Sequence, residues 1–294
     1  MMKIVVTIPA YNEEKTIGKV IRNIKAILTK NKLNHTILVV NDGSKDKTKE
    51  VAKREGAVVF SHPINYGLAE TFRTEMKKAV RFNPDIIVHF DADGQYLASD
   101  IPKLINPIIN KKADLVLGSR FKGKIESMPL IKRIGNILFS KVISNITKTK
   151  ITDAQTGFRA FTKDIALIDI KSNHTYTQEQ IIKAIKDKYK VVEIPVYFAK
   201  RKDKSRLIKN SFEYAIKAWI NILRTYRDYE PLKFFGYIGG LFILIGLILG
   251  IWIIMIFLKT GLVGGIPRVI LSSLFIISGI QIFFFGFLAD MNRK

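Results

Sequence analysis

The stretch Asp-Ala-Asp-Gly-Gln at residues 91–95 has clear chemical potential. It follows an apolar run at 86–90, so we expect it at the carboxyl end of a buried strand, where open α/β sheets bind ligands. Asp91 and Asp93 supply hard carboxylate oxygens that can approach one Mg²⁺ or Mn²⁺ ion, and Gln95 can add a neutral oxygen. The alternative interpretation is an acidic turn that caps the following helix.

A second polar stretch, Asn-Asp-Gly-Ser-Lys-Asp at residues 41–46, follows a predicted strand at 36–40. Asp42 can accept hydrogen bonds from a base or a ribose at this strand end. Ser44 or Asp46 can serve as the N-cap of the next helix. Both roles are compatible, because different residues of the loop would carry them.

The first predicted strand, residues 3–8, ends in Pro-Ala-Tyr-Asn-Glu-Glu at 9–14. Tyr11 can flank a planar base and Glu13 can reach its polar atoms, whereas Asn12 can instead cap a helix. Three polar loops at successive strand ends outline a nucleotide crevice. The spacing lacks both a G-x-G-x-x-G fingerprint and a Walker motif, which argues against dinucleotide cofactors and P-loop ATPases.

The elements that must position these loops are visible up to about residue 226, where short Val- and Ile-rich runs alternate with amphipathic stretches. Runs that are apolar throughout suit strands buried on both faces. The alternation predicts an α/β fold with a mostly parallel sheet and flanking helices. The predicted strands are residues 3–8, 36–40, 57–60, 86–90, 115–118 and 191–198, and the main predicted helices between them are 14–28, 45–54 and 68–82.

The composition narrows the partners. The 294 residues include 48 Lys and Arg against 25 Asp and Glu, a formal net charge of +23. Such an excess indicates an anionic partner: nucleic acid, phospholipid headgroups or a phosphorylated substrate. The absence of cysteine excludes a disulfide framework, a thiolate metal site and a cysteine nucleophile. The four histidines show no metal-ligand spacing, and we expect most of them to be structural or exposed.

Two long uncharged runs, residues 234–258 and 269–289, follow the alternating part of the chain. Each can cross the hydrocarbon core, which takes about 20 residues, and the link between them is rich in glycine. The sequence therefore predicts a two-helix transmembrane hairpin rather than two buried core helices. More basic residues flank the outer ends of the runs than their link, which predicts a cell-membrane protein with two spans and a cytoplasmic N-terminal domain.

Two basic amphipathic segments, residues 207–226 and 130–146, repeat apolar residues at three- and four-residue spacing. Such helices can lie in the headgroup plane of a membrane. We favour this placement for 207–226, which leads into the first span, while packing on the sheet is an equal alternative for 130–146. The predicted domains are a large domain at 1–206, a juxtamembrane amphipathic helix at 207–230 and the hairpin at 231–294.

The ordered set of motifs resembles the family 2 inverting glycosyltransferases of the GT-A fold. The resemblance is specifically to the group of dolichyl-phosphate mannose synthases and polyprenyl-phosphate glycosyltransferases. Each motif alone is weak, but their order and spacing are specific and cover nearly all of residues 1–206. The matching stretches are residues 8–13, 40–44, 65–67, 91–95, 118–121 and 153–159.

The resemblance implies roles for individual residues of this chain. The nucleotide-sugar would contact Pro9, Ala10, Tyr11, Asn12, Glu13, Asp42, Gly67, Asp91, Ala92, Asp93, Gln95 and Arg201. The divalent cation, Mg²⁺ or Mn²⁺, would be held by Asp91, Asp93 and Gln95. The acceptor phosphate would contact Arg120, Arg133, Arg159 and Ser205. The residues that carry catalysis would be Asp93, Arg120 and Arg133.

One part of the implied site departs from the family. The basic stretch at residues 200–206 resembles the family's flexible loop that closes over the diphosphate, but Asp203 stands where the family commonly has glycine. This departure weakens the assignment of Arg201 and Ser205. A solvated basic run is the alternative interpretation of this stretch.

The implied reaction moves a sugar from a GDP- or UDP-sugar to a dolichyl or polyprenyl phosphate, with inversion at the anomeric carbon. A phosphate monoester is already anionic near neutral pH and needs little or no general base, so the site would act by positioning and charge stabilisation. Glu179 falls where related transferases place a catalytic carboxylate, and its alternative is a first-turn glutamate that interacts with the helix dipole. Arg159 has a structural alternative as well, an ion pair with Asp153.

Two other functions stay open at this point. A hydroxyl acceptor, as in a polysaccharide or glycolipid synthase, would require Glu179 or an equivalent to be essential. A basic membrane-tethered module that binds nucleic acid or anionic lipid would use the net charge but leaves the three polar loops unexplained. We expect a nucleotide-sugar, a polyprenyl phosphate and a membrane as partners, and no nucleic acid. The sugar and self-association into a homo-oligomer are left open.

Overall fold

The structure is a computed structural model that describes residues 2–173, 175–200, 211–263 and 265–292. Within it the chain forms two compact units, which divide after residue 219. The first unit contains a β-sheet with helices, and the second contains two long helices.

Seven strands form one sheet in the N-terminal unit, in the order β3-β2-β1-β4-β6-β5-β7. In chain order they are β1 (Lys3–Ala10), β2 (Asn34–Asn41), β3 (Val58–Ser61), β4 (Ile86–His89), β5 (Leu115–Ile125), β6 (Arg159–Thr162) and β7 (Val191–Phe198). The pairs β1–β2, β2–β3, β1–β4 and β5–β7 are parallel, and β6 is antiparallel to β4 and β5. The predicted α/β fold with a mostly parallel sheet is confirmed.

Strand β1 lies at the centre of the parallel part of the sheet. Its residues from Ile4 to Ala10 are all buried, and its Val and Ile side chains favour extended backbone because they are branched at Cβ. It pairs in parallel with β2 on one side and with β4 on the other. The carboxyl ends of these three strands therefore lie at the same edge of the sheet.

Strand β6 was not among the predicted strands, because it begins with a charged residue and contains no continuous apolar run. It runs antiparallel between β4 and β5, with Arg159 opposite His89 on one neighbour and Leu117 on the other. The residues just before β6 are thereby brought beside the carboxyl end of β4, where Asp91 and Asp93 follow.

Helices connect and cover the strands. In the described part of the chain they are α1 (Ile17–Lys30), α2 (Thr48–Arg54), α3 (Leu68–Ala79), α4 (Ile101–Ile109), α5 (Leu130–Thr147), α6 (Lys163–Ala166), α7 (Tyr176–Lys186), α8 (Ser211–Tyr229), α9 (Pro231–Thr260) and α10 (Ile266–Met291). Helix α1 shows the pattern that produces them: Ile17, Ile21, Ile24 and Leu28 recur at helical spacing and are all buried. It begins three residues later than predicted, after a series of turns.

Helices α9 and α10 form the second unit together with the end of α8, and both are long and apolar enough to cross a membrane. The predicted spans lie inside them. Their contact is made by small residues: a methyl group on Gly239 would lie 2.6 Å from the carbonyl oxygen of Gly279, and Ser272 Oγ donates to the carbonyl of Gly246 at 2.8 Å. Glycine and serine at these positions let the two backbones approach closely.

The two segments that were predicted to be amphipathic are helical where they are described. Helix α5 has one buried face, which includes Phe139 and Ile143, and one exposed apolar face, which includes Leu130, Ile134 and Leu138. It therefore packs on the rest of the unit and also presents apolar side chains to the outside. Helix α8 exposes the large apolar side chains of Ile216, Trp219, Ile220 and Leu223.

Candidate active site

A cleft of about 410 Å³ opens at the edge where β1, β2 and β4 end. All three polar loops contribute to it, as the positions of the strand ends predicted. Leu68 and Thr71, from the first turn of α3, also line the cleft and were not predicted, because apolar and hydroxyl residues at a helix start give no chemical signal. The lining residues are Pro9, Ala10, Tyr11, Glu13, Asp42, Asn65, Gly67, Leu68, Thr71, Asp91, Ala92 and Asp93.

Asp42 is buried at the end of β2 and anchors the opposite wall of the cleft. Its two carboxylate oxygens accept the backbone N–H groups of Tyr66 and Gly67, each at 2.9 Å. Its Oδ1 also lies 2.7 Å from Nδ1 of His62, whose Nε2 lies 3.0 Å from Thr74 Oγ1. Asp42 thus holds the loop before α3 in place while it faces the cleft.

Asn12 is not among the residues that line the cleft, so its contact with the nucleotide-sugar stays a prediction, and its hydrogen bonds are made with the loop after β2. Its backbone N–H donates to Ser44 Oγ at 2.9 Å, and its side-chain Oδ1 accepts the N–H of Lys45 at 2.8 Å. Its left-handed backbone, with φ at 55°, turns the side chain toward the neighbouring loop. Asn12 therefore ties the loop after β1 to the loop after β2, and it is not the N-cap of α1 either, since that position is Thr16.

Asp91 and Asp93 both line the cleft just beyond β4. The carboxylate of Asp91 lies against the backbone of Gly157, where a methyl group would be 2.7 and 2.8 Å from its two oxygens. The absence of a side chain at Gly157 leaves room for this carboxylate. Asp93 Oδ1 accepts the backbone N–H of Gln95 at 3.1 Å, which orders the turn that carries both acids.

The donor set fits a divalent cation that shares its coordination with a ligand. Within the described ranges no group of three or more His, Cys, Asp or Glu residues could enclose a metal ion. Two cleft-lining carboxylates leave most of an oxygen coordination shell to a diphosphate and water, which is how Mg²⁺ is commonly bound. Asp91 and Asp93 are the residues that could hold such an ion.

Gln95, the third predicted metal ligand, has a different position from Asp91 and Asp93. Its side-chain Nε2 donates to the carbonyl of Ala199, just after β7, at 3.0 Å, and its side chain is absent from the cleft lining. This bond uses the amide nitrogen and joins the turn after β4 to the end of β7, and the role of the Gln95 amide oxygen as a metal and diphosphate ligand stays a prediction.

Arg120 is also placed differently from the prediction of an acceptor-phosphate contact. Its Nε and Nη2 donate to the two oxygens of Asp153, each at 2.7 Å, and its backbone N–H donates to the same carboxylate. Both side chains are buried. The guanidinium is thus already paired with a carboxylate in fork geometry. The partner of Asp153 is therefore Arg120 and not Arg159, for which the sequence had left an ion pair with Asp153 open.

Arg159 is fully buried at the start of β6 and cannot meet an acceptor from the solvent side. It donates to the carbonyls of Thr156 and Thr177 and to Oε1 of Gln180. Burial lowers its pKa to about 10, which keeps it charged at neutral pH. The predicted phosphate contact is corrected to a structural role that joins the loop before β6 to α7.

The other acceptor residues divide into described and undescribed ones. Arg133 is exposed in the first turn of α5, so it can meet a ligand. Arg201 and Ser205, together with the rest of the basic stretch, lie outside the described residues.

Glu179 has a structural role in the first turn of α7. Its carboxylate accepts the backbone N–H groups of Lys171 and Ser172, and Lys183 Nζ lies 2.7 Å from Oε1. It is buried and absent from the cleft lining. The geometry agrees with the helix-start interpretation of this residue.

The sheet order, the cleft at the ends of β1, β2 and β4, and the two carboxylates after β4 define a GT-A fold. The chain belongs to Glycosyl transferase family 2, whose sequence profile it matches over residues 5–167. It is therefore a glycosyltransferase.

Related proteins extend this comparison. The chain is 34% identical over 215 residues to the UDP-N-acetylglucosamine–dolichyl-phosphate N-acetylglucosaminyltransferase of Methanococcus voltae, a match that covers 64% of this chain and 82% of the relative. It is 30% identical over 291 residues to the dolichol-phosphate mannosyltransferase of Pyrococcus furiosus, a match that covers 93% of this chain and 78% of the relative.

The fold also resembles solved structures. Glucosyl-3-phosphoglycerate synthase from Mycobacterium tuberculosis, determined in complex with Mn²⁺, UDP and glucosyl-3-phosphoglycerate, superposes with a TM-score of 0.58. The match covers 75% of this chain and 80% of that one at 18% identity. At this identity the likeness concerns the fold alone.

Proposed function

We propose that this glycosyltransferase moves a sugar from a GDP- or UDP-sugar to the phosphate of a dolichyl or polyprenyl phosphate, with inversion. The observation that carries the proposal is the cleft, which has polar and aromatic side chains at the ends of β1 and β2 and two carboxylates at the end of β4. The two archaeal relatives support the acceptor, since both are named for transfer to dolichyl or dolichol phosphate.

The donor would lie along the cleft from β2 to β4. Tyr11 is partly exposed at its rim and can flank the base, while Glu13 and Asp42 can accept hydrogen bonds from base or ribose. Pro9, Ala10 and Gly67 complete that wall without charge. The diphosphate would then reach the end of β4.

Asp91 and Asp93 would hold Mg²⁺ or Mn²⁺ there. When bound, the ion supplies Lewis-acid stabilisation of the departing nucleoside diphosphate. The mycobacterial synthase, which shares the fold, was solved with Mn²⁺ and UDP together, and this supports a divalent cation. The chain's own part is to fix the positions of the two carboxylates and to shape the cleft around them.

The acceptor phosphate would be drawn by basic side chains. It is already anionic and needs little or no general base, which agrees with the engaged carboxylate of Glu179. Arg133 is proposed as a direct contact because it is exposed on α5, next to the apolar face of that helix. By their resemblance to the family's flexible loop, Arg201 would contact the nucleotide-sugar and Ser205 the acceptor phosphate. The net charge of +23 would favour the approach of two anionic substrates.

We also propose that α9 and α10 anchor the chain in the cell membrane with the catalytic domain on the cytoplasmic side. The proposed domains remain residues 1–206, 207–230 and 231–294. The exposed apolar residues of α8 and α5 would lie near the headgroups, where a lipid-linked phosphate is found.

The experiment uses the purified full chain in detergent with dolichyl phosphate, Mn²⁺ or Mg²⁺, and a panel of GDP- and UDP-linked mannose, glucose and N-acetylglucosamine. We expect lipid-linked sugar and free nucleoside diphosphate from donors of one nucleotide, with loss of product in EDTA and recovery in excess metal. Asp93→Ala should lower the transfer rate by at least about 100-fold, which is the effect of removing one group that stabilises charge in a transition state.

A parallel reaction offers a polyprenol and a glycolipid hydroxyl instead of the phosphate. Product from a hydroxyl acceptor alone would contradict the proposed acceptor, and an Asp93→Ala variant that retains its rate would contradict the proposed metal site. Equal melting temperatures of the variant and the unaltered protein show that the fold is intact.

A further inference from the structure

Three ionisable side chains form a row from the interior to the cleft. Glu75 on α3 and His89 at the end of β4 are fully buried, and His89 Nδ1 lies 2.9 Å from Glu75 Oε2. The second ring nitrogen of His89, Nε2, lies 4.0 Å from Oδ1 of Asp91, whose side chain is 32% exposed. The imidazole thus stands between an interior carboxyl group and the carboxylate proposed to bind the metal.

The groups around the His89 ring contact its face and its Nδ1 atom, and Asp91 is the acceptor nearest to Nε2. Phe72 packs edge-on against the ring at 5.2 Å, and Thr7 Oγ1 is 3.4 Å from Nδ1. Within the part of the chain that the structure describes, Nε2 makes no hydrogen bond at its present distance, and the two carboxyl oxygens of Glu75 also make none, although Oε2 lies 2.9 Å from Nδ1. A buried polar group of this kind costs folding free energy unless it gains a partner, and Asp91 is the acceptor that faces it.

We propose that Glu75 and His89 are positioning residues that orient Asp91 as a metal ligand, with Nε2–H donating to Oδ1 once the cation is bound. The inference rests on the proposed metal-dependent transfer. The Asp91 carboxylate can only accept a hydrogen bond, so Nε2 of His89 must carry a proton in this arrangement. The other ring nitrogen, Nδ1, faces Glu75. The proposed hydrogen bond requires Asp91 Oδ1 to come closer to Nε2 than the present 4.0 Å.

Two further observations support this arrangement. Burial raises the pKa of Glu75 above its ordinary value, as expected for a carboxyl group that is enclosed in the core beside the imidazole. On the other side, the backbone of Gly157 confines the same Asp91 carboxylate. Asp91 is therefore bounded by the imidazole and by a glycine. Metal ligands are commonly oriented by such an outer hydrogen bond.

The test measures Mn²⁺ binding to the full chain in detergent with UDP or GDP present, from the EPR signal of free Mn²⁺ during a titration. In His89→Asn the amide can replace Nδ1 but cannot reach Asp91, whereas in His89→Gln it extends to the position of Nε2. We expect Asn to weaken Mn²⁺ binding roughly 10- to 100-fold and Gln to retain most of it. Glu75→Leu should weaken binding as well, and Glu75→Gln should retain it.

The matched control is Leu28→Ala, which opens the core in the last turn of α1, in a residue that is fully buried and absent from the cleft lining. It should lower the melting temperature without changing Mn²⁺ affinity. Glu75→Leu provides a second test if His89→Asn does not fold.

Equal Mn²⁺ affinity of the folded Asn, Gln and Leu variants and the unaltered protein would overturn the inference and leave the pair as part of the core. If the unaltered protein binds no Mn²⁺ in the presence of UDP or GDP, the proposed metal site is wrong, and this inference is wrong with it. The two failures are distinguished because the second is seen without any substitution.

Discussion

Gly157 contributes to the site by having no side chain. Its backbone lies against Asp91, and the site depends on this contact as much as on the carboxylates themselves. A residue with Cβ would occupy the space of both carboxylate oxygens. The carboxylate would have to leave its present position between Gly157 and His89, and its direction toward a bound cation would change.

We therefore expect Gly157→Ala to weaken Mn²⁺-dependent transfer by about 10-fold or more, comparable to the loss of an outer-shell contact. The Mn²⁺ concentration for half-maximal rate should rise. The matched control is Gly240→Ala, since a methyl group there meets nothing within 4 Å. An unchanged metal dependence in Gly157→Ala would show that Asp91 has more freedom than its contacts indicate.

The loop before β6 connects strands β5 and β7 with the cleft, because it is held by both strands and ends beside Asp91. Glu193 on β7 accepts the backbone N–H groups of Thr152 and Asp153 at 2.8 and 3.0 Å, and the buried ion pair with Arg120 on β5 holds Asp153 itself. The loop is thus fastened from two strands before it reaches Gly157.

The ion pair leads to a prediction at this scale. Arg120→Ala leaves the buried Asp153 carboxylate without its partner, and we expect a loss of about 3–5 kcal/mol in the free energy of unfolding. The double variant Arg120→Met with Asp153→Leu removes both charges and should recover much of that loss. Chemical unfolding of the three proteins measures both effects. A full-stability Arg120→Ala protein would contradict the structural role assigned here.

The helical hairpin depends on small residues in the same way. Gly239→Leu would push its side chain into the carbonyl of Gly279, and we expect a loss of about 1–3 kcal/mol, as for overpacking elsewhere. Gly240→Leu is the control. The melting temperature in detergent should fall for the first variant only, whereas nucleotide-dependent Mn²⁺ binding should persist in both. An equal response of both variants would argue against close packing at Gly239.

At the scale of the whole molecule, the net charge and the two apolar helices agree with the proposed location at a membrane. A chain with a formal net charge of +23 and two helices that could span a membrane suits an anionic membrane surface and a phosphorylated lipid. The polar cleft and the apolar hairpin belong to different units of the chain, so donor binding and membrane insertion can be tested separately.

The proposed orientation can be tested by labelling, because the chain has no cysteine of its own. Leu262→Cys lies in the link between α9 and α10, and Lys171→Cys lies before α7; both positions are exposed. A membrane-impermeant maleimide added to intact cells should label the first and not the second. After the cells are opened, both should react. The reverse pattern would overturn the cytoplasmic placement of the catalytic domain.

Much of the site was determined by the sequence alone. Polar loops that follow buried apolar runs predicted that Tyr11, Glu13, Asp42, Asp91 and Asp93 would lie at one crevice, because residue order along a strand decides which side chains stand at its carboxyl end. All five line the cleft. The two long uncharged runs predicted the apolar helices for a similarly local reason.

Only the tertiary structure decided the partners of the buried polar groups. Arg120, Arg159 and Gln95 have the residue types of ligand contacts, yet each is paired with a group from another element of the fold. The row from Glu75 to His89 and Asp91 likewise arises because Glu75 on α3 reaches His89 at the end of β4, and the antiparallel β6 brings Gly157 to that row. These pairings depend on which elements become neighbours, and no local period of the sequence contains that information.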